Sequence, residues 1–186
     1  TQSPNEIIVS TGKALIFIDK EDGSRRTMSK VDGLSDTQIA QIKYDAVNQW
    51  LIVVYNSGAF DLLGKDEQFY ITSIKDNNNI SGSKAINDIC LTGDRFAYFA
   101  TSFGIIEYDL QNIEFRSTTF TNENAASIAA DQTHLYAALD SGLYRIPRID
   151  NSKENFSRWQ KMDSLFGLPS KYKCQLVEVF NQKVYC

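Results

Sequence analysis

Histidine occurs once in this chain of 186 residues, and cysteine, proline and methionine occur three, three and two times. Each scarcity excludes a class of protein. A zinc site needs four closely spaced ligands, whereas Cys90, Cys174 and Cys186 lie 84 and 12 residues apart with one histidine to assist them. The odd, sparse cysteine count excludes a disulfide scaffold, and Cys90 and Cys174, both in strand-like surroundings, read as small buried hydrophobes. Positive charge is not in excess: 19 Lys and Arg against 23 Asp and Glu give a net charge of −4, so nothing offers a nucleic-acid backbone a basic footprint. The longest unbroken apolar run, Trp50–Tyr55, is six residues. A membrane helix needs roughly 20, so no membrane span is expected. The opening Thr-Gln-Ser-Pro-Asn-Glu lacks both Met and the pattern of a leader peptide, and implies that processing or a fragment boundary precedes it. Helical periodicity is sustained nowhere, and the one helix-permissive stretch, 36–43, reads equally well as a strand.

Aromatic residues are plentiful. Eleven Phe, nine Tyr and two Trp make 12% of the chain, a richness that suits pleated strands. With 42% hydrophobic and 23% charged residues the composition is globular, long enough for one domain or a piece of a larger one.

The chain also repeats itself. Four stretches (7–19, 51–63, 97–110 and 135–146) each read as an apolar strand, a tight glycine-bearing turn and a second apolar or aromatic strand. Their glycines are Gly12, Gly58, Gly104 and Gly142, spaced by 46, 46 and 38 residues. A hairpin turn needs positive φ at one residue, which glycine adopts without a steric penalty. Asn56-Ser57-Gly58 and Asp140-Ser141-Gly142 are the clearest turns. A further strand precedes each hairpin after the first (39–44, 86–91, 126–130), and 174–180 leads into 183–186. A more polar strand follows each hairpin, at 25–29, 70–75, 115–120 and 157–162.

Four antiparallel strands every forty residues or so describe the blade of a β-propeller. The second strands, 50–55 and 96–100, are apolar at consecutive positions, as happens when both faces are covered by neighbouring blades. A two-sheet sandwich would leave one face polar. The expected fold is therefore all-β, a propeller of four-stranded antiparallel blades with about four present. The whole chain, 1–186, reads as one propeller region: a partial blade at 7–30, blades at about 37–75, 85–120 and 125–162, and a partial blade at 172–186. An incomplete, open arc is expected, its first blade lacking the innermost strand and its last lacking the outer two. Open sheet edges of that kind recruit other chains, so self-association is expected too.

Two segments resemble the two-component-regulator type of propeller repeat. One is Gly33-Leu34-Ser35-Asp36 followed by Ile39, Ile42, Asp45 and Trp50-Leu51; the other is Gly167-Leu168-Pro169-Ser170 ahead of 174–180. A broader resemblance joins that first segment to Asp61-Leu62-Leu63, Ser73-Ile74-Lys75, the run from Ile80 to Ile89, the run from Phe103 to Leu110 and the run from Leu139 to Arg145. Together these are similar to the N-terminal propellers of the PorZ family, components of the type IX secretion system of Bacteroidetes. The resemblance implies an exported protein at the bacterial surface or outer membrane, or in the periplasm. It also implies partners among other secretion and attachment proteins, and a role in attaching secreted cargo to anionic lipopolysaccharide, with lipopolysaccharide or glycan as a further ligand. Members carry a second propeller and a sorting domain, for which this chain is too short.

Residues that invite a catalytic reading have plainer explanations. His134 follows Asp131-Gln132-Thr133 ahead of a strand and reads as a turn residue, not a triad base. Asp19, Glu21, Asp22, Asp66 and Glu67 fall in solvated turns and do not form an acid–base pair. The run from Asp76 to Gly82 fails the calcium-loop template, with Ile80 at a ligand position and Asn87 where a glutamate is needed. Ser10-Thr11-Gly12-Lys13 lacks the glycine and helix of a phosphate loop. Phe156, Trp159 and Phe166 read as packing residues. No catalytic, cofactor-binding or metal-binding residue is assigned and no cofactor is expected, leaving Gly12, Gly58, Gly104 and Gly142 as structural turn residues. The function this supports is a noncatalytic binding and assembly module. The alternative is the extracellular ligand-sensing propeller of a hybrid two-component kinase, and a glycan-degrading propeller enzyme is a third class.

Overall fold

The computed structural model describes residues 1–169 and 172–186. The chain divides into two compact units, Thr1–Ala85 and Ile86–Cys186. Among the described residues both are built only of antiparallel sheets and single-turn 3₁₀ helices, with no sheet closed into a barrel. These are the sheets of about four propeller blades, the expected fold.

The first unit holds a three-stranded sheet of β1 (Glu6–Ser10), β2 (Ala14–Asp19) and β3 (Arg25–Ser29). A four-stranded meander follows, of β4 (Ile39–Asp45), β5 (Trp50–Tyr55), β6 (Phe60–Leu63) and β7 (Gln68–Ile71). The innermost place of the first sheet is not bare. Gln2 bridges Ile7 there, and the Ile8 amide donates to the Thr1 carbonyl. The core of the unit joins Ile8, Leu15 and Phe17 to Leu34, Ile39, Leu51, Val53 and Tyr55.

The second unit contains β8 (Ile86–Leu91), β9 (Phe96–Thr101), β10 (Gly104–Asp109) and β11 (Glu114–Phe120) as one meander. The next comprises β12 (Ala125–Ala130), β13 (His134–Leu139), β14 (Gly142–Pro147) and β15 (Gln160–Lys161). A final hairpin pairs β16 (Glu178–Phe180) with β17 (Lys183–Tyr185). Tyr98, Ala100 and Ile105 pack against Leu135, Ala137 and Leu139, so β13 is buried at consecutive positions because sheets lie on both of its sides.

Three strands differ from expectation. β7 ends at Ile71 because the Asp76 amide donates to the Thr72 carbonyl, turning 72–76 back on itself. β15 keeps two residues because Phe156–Arg158 forms a 3₁₀ turn, capped by the Asn155 side chain accepting from the Ser157 amide. β16 begins at Glu178, since the Val177 amide donates to the Ser127 hydroxyl instead of to a strand. Cys90 and Cys174 are buried, but Cys174 is not an isolated hydrophobe: it is disulfide-bonded to Cys186, with 5.8 Å between their Cα atoms. The β16–β17 turn folds the chain back and brings the two together.

Candidate functional site

One end of each sheet gathers the turn glycines and the loops that lead into innermost strands. Gly12, Gly58, Gly104 and Gly142 have φ of 83°, 83°, 147° and 132°, in the region that side chains disfavour. Space differs between them. A Cβ on Gly104 would fall on the Thr119 carbonyl oxygen and one on Gly58 on that of Lys84, whereas Gly12 faces open space.

Next to two of these glycines a serine ties the turn to the loop before the innermost strand. The Ser57 hydroxyl donates to Asp36 Oδ2 at 2.9 Å, and Lys75 Nζ lies 3.7 Å from the same oxygen. Burial opposes ionisation of Asp36, yet these contacts and the Thr37 amide hold its carboxyl below the usual range. In the second unit Ser141 donates its amide and hydroxyl to the two oxygens of Glu123, at 2.8 and 2.7 Å. The repeated carboxylate–serine pair was readable: an acid two or three residues ahead of the innermost strand, and a serine directly before the turn glycine.

Gly33 and Gly167, the glycines of the two Gly-Leu segments, each end a 3₁₀ turn with positive φ, 127° and 76°. The following leucine amide reaches back five residues in both, Leu34 to the Ser29 carbonyl and Leu168 to that of Asp163. Ser170 of the second segment lies outside the described residues. Leu34 is buried, the Ser35 amide donates to Asp61 Oδ2 at 3.0 Å, and the Tyr55 hydroxyl donates to the same oxygen at 2.5 Å. Asp61 is fully buried, and its Oδ1 has no hydrogen-bond partner. Burial first, and then the Asp61 carboxylate, push the Tyr55 phenol well above its ordinary pKa.

The innermost strands share a bulge. In β4, β8 and β12 the pairing skips one residue, Ala40, Asn87 and Ala126, which turns the next side chain. In the second unit that next residue builds a strap across sheets. Asp88 Oδ2 accepts from the Ser127 hydroxyl at 2.6 Å and the Ile128 amide at 3.0 Å, and Ser127 also accepts from the Val177 amide at 3.2 Å. Asn87 Nδ2 donates to Asn124 Oδ1 and to the Ala125 carbonyl. None of these residues stands out in the sequence, because Asp88 and Ser127 differ in type while sharing a place.

A polar groove of about 590 Å³ in the second unit is lined by Phe96, Tyr98, Glu107, Arg116, Arg148 and Lys153 among others. Glu107 accepts from the Tyr98 and Ser117 hydroxyls at 3.0 and 3.1 Å and faces Lys153 Nζ at 3.6 Å. Burial, and then Glu107, raise the Tyr98 phenol. Every charged group named here already has a partner of opposite sign or a hydroxyl. Those pairings leave the groove polar, with its charges engaged within the protein.

His134 opens β13, with Nδ1 2.8 Å from the Thr133 hydroxyl. Asp131 accepts from the Thr133 and His134 amides and the Tyr136 hydroxyl, an Asx-type turn. Asp19 accepts from the Glu21 amide and Asp22 from that of Ser24, while Asp66 and Glu67 line a first-unit groove of about 780 Å³. Among the described residues no cluster of three His, Cys, Asp or Glu side chains is placed to hold a metal ion, and no helix is long and apolar enough to cross a membrane. Trp159 is buried with Nε1 donating to the Lys153 carbonyl, Phe156 packs on Tyr144, and Phe166 lies under Arg145, so all three are packing residues.

Residues 7–160 match the family described as the N-terminal β-propeller domain of PorZ, of the type IX secretion system. Among solved structures, the chain is similar to PorZ, a bacterial surface component of that system in Porphyromonas gingivalis. That match has 22% identity and a TM-score of 0.78, and covers 88% of this chain and 22% of PorZ. The extracellular domain of BT4673 from B. thetaiotaomicron matches at 14% identity and a TM-score of 0.72, over 96% of this chain and 24% of that one. The Pan2 WD40 domain of Neurospora crassa matches at 15% identity and a TM-score of 0.63, over 96% and 54% of the two chains. At such identities these structures show the propeller fold alone. The chain spans less than a quarter of the PorZ and BT4673 chains. No curated protein matches it.

Proposed function

Because the chain belongs to the PorZ N-terminal β-propeller family, we propose that it is a noncatalytic binding and assembly module of a surface-exposed type IX secretion component. The observation that carries this reading is the family match across residues 7–160, which spans both units. On this reading residues 1–186 act as one propeller region, exported and held at the cell surface. Its partners are other proteins of the attachment machinery, and it helps to place secreted cargo on anionic lipopolysaccharide. Self-association belongs to the same reading, since uncovered strands recruit other chains. The internally paired groups of the second-unit groove support binding over catalysis.

The test is removal of residues 7–160 from the full-length protein in its own cell. Cargo should then pass into the medium instead of remaining on the surface. Cargo that stays attached overturns the role in attachment. A changed transcriptional response to polysaccharide, with attachment intact, would support the sensor instead. Incubating the purified chain with glycan and peptide substrates should give no turnover; turnover lost on replacing a single Asp, Glu or His would show it to be an enzyme.

A further inference from the structure

The second-unit groove of about 590 Å³ has an engaged floor and an unengaged rim. Its size lies within the range of ligand clefts. One wall is the face of β9–β11; the other is the turn after β12 together with the connection 148–159 that follows β14. Both walls belong to one compact unit. The connection is held in place. Arg148 donates to Asp94 Oδ2 at 2.7 Å and to the Asp131 carbonyl at 3.1 Å. Lys153 Nζ donates to the Arg148 and Asp150 carbonyls, both at 3.1 Å. The Lys153 carbonyl accepts from the Thr119 hydroxyl and from Trp159 Nε1. A ligand entering between these walls meets a preformed site and orders little.

The rim differs from the floor. Among the described residues, the side chains of Gln132, Asn151 and Glu154 are exposed at the groove and make no hydrogen bond or ion pair. Arg116 keeps one long contact, 3.4 Å to Glu114. The pairing of β10 with β11 skips Arg116, and this bulge sets it beside Ser117 on the groove wall. Ile149, on the opposite wall, is 89% exposed.

Three observations select the ligand. On the floor, Tyr98, Ser117 and Lys153 are all committed to Glu107. Drawing one of them to a phosphate or a cation would leave another group unpaired, so a small ion gains nothing there. Along the groove, Asp94, Glu107 and Glu154 offset Arg116, Arg148 and Lys153, so no field of one sign draws in a polyanion. Tyr98 is 3% exposed, and the Phe96 ring packs on the core with the Arg95 guanidinium over it, so neither presents an open face for a sugar ring to stack on. The remaining groups suit a polypeptide. A carboxamide donates and accepts at once, the complement of a peptide group. We propose that the groove holds an extended segment of a partner protein, with Gln132 and Asn151 on its backbone, Ile149 against an apolar side chain, and Arg116 and Glu154 on an acidic and a basic side chain. This names the kind of partner for the binding module proposed above and rests on that reading.

Random dodecapeptides displayed on phage and panned on the purified chain test it. The native chain should enrich a motif that holds an apolar residue with an acidic and a basic one. Arg116→Glu should turn the acidic position basic, and Glu154→Arg should turn the basic position acidic. Asn151→Ala should weaken binding of a synthetic peptide of that motif several-fold, read by calorimetry. Lys65→Glu, at the first-unit groove, should leave it unchanged. All four substitutions fall at exposed residues, and circular dichroism checks folding. Panning that yields no motif overturns the proposal. So does a motif indifferent to all three groove variants, which places binding elsewhere. Lipopolysaccharide micelles or maltohexaose bound in place of peptide, and lost in the same variants, overturn it by making the groove a glycan site. Cargo attachment separates this proposal from the one it rests on. Peptide binding, with cargo still attached after removal of residues 7–160, defeats only the role in attachment. Cargo released by that removal, with no peptide bound, defeats only the groove.

Discussion

Asp61 and Glu107 each stand three residues after a turn glycine, on the third strand of a sheet, and each takes a hydrogen bond from a neighbouring tyrosine. Their surroundings are otherwise opposite. Asp61 is sealed in the first unit with one oxygen unpartnered, and Glu107 lines a polar groove in the second with both oxygens engaged. The cause is turn length. Gly58 belongs to a three-residue loop that pairs Asp61 with Val53, whereas Gly104 follows a two-residue turn that pairs Glu107 with Tyr98. A slip of one residue moves a side chain to the other face of a sheet. One carboxylate therefore anchors the Ser35 loop from inside, while its apparent equivalent faces outward to other polar groups.

The largest separation between the two units should come from the glycines. Gly104→Ala combines positive φ with a collision against backbone and should cost about 4 kcal/mol, Gly58→Ala about 3, and Gly12→Ala, which is strained but uncrowded, about 1. Urea unfolding reads all three. Equal losses at Gly12 and Gly104 would show that crowding is irrelevant. Next in size, Tyr55→Phe leaves Asp61 with the Ser35 amide alone and should cost about 2 kcal/mol. Tyr98→Phe leaves Glu107 with Ser117 and Lys153 and should cost about 1 kcal/mol. A reversal of that order in thermal melts would break the comparison. Smaller still is Glu107→Gln, at about 0.5 kcal/mol, because the amide oxygen keeps one hydroxyl donor.

A third tyrosine–carboxylate pair, Tyr136 with Asp131, acts through pH. Burial opposes ionisation of Asp131, but donors from Tyr136, Thr133 and His134 hold its pKa at about 2. Burial and Asp131 in turn push Tyr136 up to about 12. A depressed carboxyl stabilises the fold above its unfolded pKa of about 4 and loses that contribution as pH falls toward the folded value. Asp131→Asn should lower stability above about pH 4, where the carboxylate contribution is fully present, and flatten the fall in stability between about pH 4 and pH 2. An unaltered acid limb would show that those donors do not bias the folded state.

Consecutive burial in β5 and β9 and the recurring glycine were legible because apolar pattern and turn chemistry are local. The register that divides Asp61 from Glu107 was not, since a spacing of 46 residues is the same whether a turn holds two residues or three. Asp88 and Ser127 were equally hidden: their partnership needs two innermost strands side by side, and the bulge that aims them leaves no mark on residue type. Cys174 and Cys186 show their spacing of 12 but not the reversal at Asn181 and Gln182, both at positive φ, that returns one to the other.

The bulges at Ala40, Asn87 and Ala126 bear on how such a repeat tolerates insertion and deletion. Deleting a residue from a strand normally swaps the faces of everything beyond it. Deleting Ala40 would not: Ile39 already opposes Tyr55 and Gln41 already opposes Val54, so the ladder would only become regular. Each innermost strand thus holds one position where the chain can shorten without disturbing the core, and the surplus residue persists at the same place in all three strands.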